Sequence, residues 1–174
     1  EWKVDPAKII VCGSSAAGHL ACSLGVFWDN ELVYDAIGRT PAQIRPDGLI
    51  LCYPVITGGE YAHVNSFKRL LGDDVTQEQR DAVSLENFVT EQTPRAFIWH
   101  TYTDENVPVE NSLLLAAAMK RKNVNFELHI YPTGGHGLSL ADEETAGNGF
   151  QVVEQCQSWI PLVKMWLKHF EASC

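Results

Sequence analysis

The chain has 174 residues, of which 45 % are hydrophobic, 10 % aromatic and 20 % charged. That length buries roughly 70 % of the unfolded surface in one domain without disulfide or metal staples, and the composition excludes disordered, collagen-like and cysteine-framework proteins. Subtracting 22 acidic from 13 basic residues leaves a formal charge of −9, which disfavours nucleic acid and anionic membranes as partners.

Residues 8–12 form a β-branched apolar run that predicts a strand buried on both faces and stopped by Gly13. Leu20, Leu24 and Phe27 then recur at helical spacing, predicting a helix over Ala16–Phe27 packed on a sheet through that row. Residues 48–53 read as a second buried strand, punctuated by Pro54. The stretch from about 60 to 92 turns polar, and short helices over 66–71 and 76–82 suggest a cap-like insertion in a single domain spanning 1–174. A third strand over Arg95–Thr101, an apolar helix over 109–122 and a fourth strand over Phe126–Tyr131 follow. After a loop over 132–149, Trp159, Ile160, Val163, Trp166, Leu167 and Phe170 keep helical spacing, with Ser158 as N-cap and Pro161 in the first turn. Strand and helix alternate, so the expected class is α/β: an open, mostly parallel sheet with helices on both faces.

Cys12, Cys22, Cys52, Cys156 and Cys174 form no CxxC pair, and most lie among apolar neighbours, which suggests a reducing, cytoplasmic setting. The chain carries no leader-like or bilayer-length apolar run, so no membrane is expected as a partner. Glu1 in place of Met, and a first strand with its turn already attached, suggest a fragment.

The chemistry gathers at strand ends. Gly13-Ser14-Ser15-Ala16-Ala17 between a buried strand and a helix fits a nucleophile elbow, with Ala17 where a second glycine is usual. A serine hydroxyl needs a base, and the base needs a third group to hold its tautomer. Asp104 follows the third strand, with Glu105 as rival acid, and His136 follows the fourth, between glycines. Ser15, Asp104, His136 is the nucleophile–acid–histidine order of α/β-hydrolases. Tyr53, Pro54, Val107 and Pro108 follow strand ends and are expected pocket walls. His19 reads as packing beneath the elbow, His100 and His129 as structural strand histidines, and His63 and His169 as surface or insertion residues. No HExxH or paired His/Cys spacing occurs, so neither metal nor cofactor is expected.

With these residues in view, the sequence resembles the bacterial α/β-hydrolase esterases often labelled acetyl-xylan esterase-like or endo-1,4-β-xylanase. The likeness runs through Gly13–Leu20 against a GxSxGGHL elbow, Ser84-Leu85-Glu86-Asn87, Trp99-His100-Thr101, Asp104, Val107–Ser112 and Gly134–Leu138. It implies an α/β-hydrolase fold and a serine carboxylesterase acting on short acyl esters, such as acetyl groups on sugars, through Ser15, Asp104 and His136. The Ala16 amide would hold the oxyanion, and a small-molecule ester would be the partner. The resemblance also implies upstream strands and an HGGG-type loop that precede the elbow in the family. Their absence predicts low activity, or a homo-oligomer paired through the exposed first strand. A prolyl-oligopeptidase-type serine peptidase and a noncatalytic interaction module are the alternatives.

Overall fold

The computed structural model describes residues 3–147 and 152–171, the side chains of 169–171 excepted. Cys174 and the side chains of His169 and Phe170 lie outside the described residues. Four strands, β1 (Ile10–Ser14), β2 (Gly48–Cys52), β3 (Arg95–Thr101) and β4 (Phe126–Tyr131), pair in parallel in the order β1-β2-β3-β4. Parallel neighbours require crossovers, and the helices between them are α1 (Ala16–Phe27), α2 (Glu31–Ala36), α3 (Pro41–Ile44), α4 (Val64–Leu71), α5 (Gln77–Asp81) and α6 (Glu110–Arg121), with α7 (Trp159–Glu171) closing the chain. Short 3₁₀ turns at Leu85–Asn87 and Glu154–Ser158 complete the connections.

Two apolar layers sandwich the sheet. On one face Ala21, Cys22 and Val26 of α1 and Leu115, Ala118 and Met119 of α6 meet Leu49, Leu51, Ala96 and Ile98. On the other, Trp159, Val163 and Trp166 of α7 meet Cys52, Phe97, Trp99 and Tyr131. β3 lies inside the sheet, and six of its seven residues, Ala96 to Thr101, are buried.

Three expectations are corrected. β1 begins and ends two residues later than predicted and includes Gly13; as an edge strand it leaves Cys12 exposed rather than buried on both faces. α1 turns Gly18, Ala21, Cys22, Gly25 and Val26 to the sheet, while Leu20 is 72 % exposed. Small residues win that face because the helix lies so close: a Cβ on Gly25 would come within 2.6 Å of Leu49 Cδ1. Ser158 ends a 3₁₀ turn that runs straight into α7, and its hydroxyl bonds the Gln155 carbonyl and Tyr131 instead of capping the helix. Among the described residues no helix is long and apolar enough to cross a membrane.

Candidate active site

The elbow is a strained turn. Ser15 has φ 54° and ψ −123°, a conformation costly for a residue with a Cβ, and it is fixed on both sides. Its amide donates to the Cys52 carbonyl at 3.0 Å, and its own carbonyl accepts from the Val55 amide at 3.0 Å. Gly13 permits the turn, since a Cβ there would lie 2.1 Å from the Ala17 carbonyl oxygen. Gly18 likewise admits Pro54, whose Cβ would sit 2.7 Å from a Gly18 Cβ. Ala16 opens α1, so its amide is among the N–H groups that a helix leaves without an internal carbonyl.

Ser15, Asp104 and His136, 121 positions apart at the extremes, meet at the carboxyl end of the sheet. Ser15 Oγ lies 2.6 Å from His136 Nε2, and His136 Nδ1 lies 2.7 Å from Asp104 Oδ2. With the Asp104 carboxylate as acceptor, Nδ1 carries the proton and Nε2 is left to accept from the serine hydroxyl. The loop holding His136 is tied to the end of β3: the Thr101 and Thr103 hydroxyls donate to the Gly134 carbonyl at 2.9 and 3.0 Å. Gly134 has φ 147°, and a Cβ there would meet Leu138 and Thr101, each at 2.8 Å.

Asp104 is both a turn residue and the partner of the histidine. Oδ1 accepts the amides of Asn106 and Val107, each at 3.0 Å, while Oδ2 faces His136. Burial would raise this carboxyl, but hydrogen bonds from His100, His136 and the Val107 amide outweigh it and hold the group well below the usual carboxylate range. Glu105, the rival acid, is exposed.

The expected walls fall in different places. Tyr53 stands beside the histidine, its ring centroid 5.2 Å from that of His136, and its hydroxyl accepts the Ser139 amide at 3.0 Å. Pro54 is buried against Gly18 beneath the elbow. Val107 is buried with Val55 and Phe67, because its backbone closes the Asp104 turn and draws the side chain inward. Pro108 borders a shallow hollow with Asp104 and Glu110. An apolar cavity of about 590 Å³ instead opens beside Ala16, between α1 and α4, lined by Leu20, Val55, Phe67, Leu70 and Val83.

Sequence reasoning missed two histidines near the site. His100, 0 % exposed, lies 3.3 Å from Asp104 Oδ2 through Nε2; the sequence marked it only as a strand histidine. His63, at the start of α4, is held below its usual pKa by partial burial first and then by His136 nearby; nothing in its own neighbourhood of the sequence pointed there. His19, expected beneath the elbow, turns its ring toward the chain before the 3₁₀ turn and α4, with Nε2 2.9 Å from the Val83 carbonyl and its ring edge-on to Phe67 at 6.0 Å.

The sequence profile described as the prolyl oligopeptidase family, Peptidase_S9, matches residues 61–160, more than half of the chain. The chain belongs to this family. Its architecture is the α/β-hydrolase fold. It is 42 % identical over 148 residues to endo-1,4-beta-xylanase B of Butyrivibrio fibrisolvens, covering 83 % of this chain and 22 % of that protein. It is 30 % identical over 144 residues to an acetylxylan esterase of Xylanibacter ruminicola, covering 80 % and 28 %. Among solved structures, the acetyl ester-xyloside bifunctional hydrolase of Caldicellulosiruptor lactoaceticus matches at 40 % identity and TM-score 0.71, covering 92 % of this chain and 58 % of that one. This member of the family thus spans about a quarter of its curated relatives and under two thirds of the solved structure.

Proposed function

We propose that the chain carries the nucleophile, acid and base of a serine carboxylesterase that removes short acyl groups, acetyl groups on sugars first among them. The observation carrying this reading is the unbroken relay from Ser15 Oγ through His136 to Asp104 Oδ2, with links of 2.6 and 2.7 Å. In the reaction Ser15 Oγ attacks the acyl carbon as His136 Nε2 takes its proton, and Asp104 orients and stabilises the imidazolium. The Ala16 amide donates to the oxygen as it becomes an oxyanion. His136 returns the proton to the departing alcohol, leaving an acyl-Ser15 ester. Water then attacks that ester with His136 again as base, releasing the acid and restoring the hydroxyl. The similarity to proteins named acetylxylan esterase and acetyl ester-xyloside hydrolase supports the acyl and alcohol classes.

The family match favours a second reading, a serine peptidase using the same three residues on an aminoacyl amide. Hydrolysis of p-nitrophenyl acetate and of an aminoacyl p-nitroanilide by the chain separates the two. Esterase chemistry predicts turnover of the acetate, lost in Ser15→Ala, with little cleavage of the anilide. Preferential cleavage of the anilide would overturn it in favour of the peptidase.

A further inference from the structure

His100 is the one histidine among the described residues whose ring is wholly buried, at 0 % exposure, and the relay above gives it no task. Its surroundings fix its proton. Nε2 lies 2.9 Å from the Val107 carbonyl, which can only accept, so Nε2 carries the hydrogen. The same N–H faces Asp104 Oδ2 at 3.3 Å, a second, longer branch of a shared donor. On the other side of the ring, Nδ1 lies 2.8 Å from Ser112 Oγ in α6, and Ser112 is itself 0 % exposed. With Nε2 as the donor, Nδ1 is left to accept a hydrogen bond from the Ser112 hydroxyl.

One imidazole thereby joins three parts: β3, which carries it; the turn 104–107, which holds the acid; and α6. One Nε2 contact reaches Asp104 directly and the other ends on Val107, which Asp104 holds. The direct one reaches the same Oδ2 that His136 Nδ1 meets at 2.7 Å. The indirect one holds Val107, whose amide donates to Oδ1 at 3.0 Å. A core residue kept only for packing would do without two polar partners at 0 % exposure, since an apolar side chain of that size needs none.

We propose that His100 is a positioning residue for Asp104, its shared N–H fixing the carboxylate so that Oδ2 stays aimed at His136 while that ring gains and loses its proton. The inference rests on the esterase reading for its kinetic consequence, but not for its geometric one. Among the described residues, the ionisable groups around Asp104 include His136 from the loop after β4, His100 from β3 and His63 ahead of α4, with Glu105 and Glu110 bordering the same hollow.

Two variants separate positioning from packing. In His100→Gln the side-chain amide nitrogen reaches the place of Nε2 and can still donate toward Val107 and Asp104. In His100→Asn it reaches only the place of Nδ1, near Ser112. His100→Asn also lacks a methylene, so a packing role predicts a lowered urea midpoint in that variant with the Asp104 titration unmoved. The positioning role predicts that His100→Asn lowers kcat on p-nitrophenyl acetate about tenfold, the size of one lost hydrogen bond to a charged group, with KM little changed. His100→Gln restores most of it. Independently of turnover, a ¹³C titration of the Asp104 carboxyl is expected to show a higher midpoint in His100→Asn and the parent's midpoint in His100→Gln. Equal kcat losses in both variants, or an Asp104 midpoint unmoved in His100→Asn, would overturn the proposal. A parent chain inert toward the ester would overturn the esterase reading alone, since the carboxyl titration still reads the contact.

Discussion

Asp104 shows how one residue can satisfy two readings that a sequence sets in competition. An Asp after a strand is most often a turn former, and here Oδ1 does that work on the Asn106 and Val107 amides while Oδ2 is left for His136. The pair Asp104-Glu105 was legible as an alternative, and burial decides it. The consequence is a signed pH dependence. Burial alone would raise the carboxyl, yet its hydrogen bonds from His100, His136 and Val107 hold it below its unfolded value of about 3.9. The folded state therefore binds fewer protons than the unfolded state near that pH. Its stabilisation is fully present above about pH 4 and is lost as pH falls toward the folded value. Urea unfolding followed from about pH 6 down to about pH 2.5 is expected to show this acid loss in the parent, and a shallower slope in Asp104→Asn. An unchanged slope in that variant would mean that the carboxylate is not held as described. His100 was legible only as a strand histidine, because sequence gives no distance between residues four apart once a strand ends and a turn begins.

At the level of elements, β3 inside the sheet and β4 at its far edge were read equally well. β3 and β4 stand at the residues expected and β2 is one residue shorter, since prolines bound them: Pro94 precedes β3, Pro132 follows β4 and Pro54 closes the run of β2. β1 shifted because its pairing with β2 begins at Ile10 opposite Gly48 and continues through Gly13 to Ser14 opposite Cys52. α2 and α3 were missed: neither buries a residue, so no apolar period marks them, although Asn30 caps one and a Thr40/Gln43 capping box opens the other. α1 was placed correctly over Ala16–Phe27, but its sheet-facing side was misassigned, because periodicity favours large residues and close approach requires small ones. That closeness is testable at Gly13, where a Cβ would lie 2.1 Å from the Ala17 carbonyl and 2.9 Å from Ala21 Cβ. Both are parts of α1 that cannot swing away like a long side chain. Gly13→Ala is expected to destabilise the chain by about 3 kcal/mol, the upper end of the overpacking range, read as a lowered urea midpoint. It should also slow reaction at Ser15 by displacing the elbow. A midpoint unchanged from the parent would contradict the tight seating of α1 on β1.

Across the whole molecule, the sheet has one side sealed by α1 and α6 and the other by α7, and β1 lies at its edge. Ile9 accepts from the Asp47 amide and Ser15 donates to Cys52, so the alternate residues Ile10, Cys12 and Ser14 turn their backbone groups outward. Val4, Ile9, Leu24, Ile37 and Ile44 line a hollow of about 690 Å³ on that flank. The fold class and the three-residue constellation were legible because each member follows a strand end, where parallel sheets gather reacting groups. The pocket walls were not, because strand-end position does not say whether a side chain turns to solvent or, like Val107, into the core. The central claim is that Ser15 is an activated nucleophile, and reaction with a fluorophosphonate followed by peptide mass mapping tests it most directly. One adduct on Ser15, absent from Ser15→Ala, is the predicted result; a folded chain that forms no adduct, or forms it equally in Ser15→Ala, would contradict it.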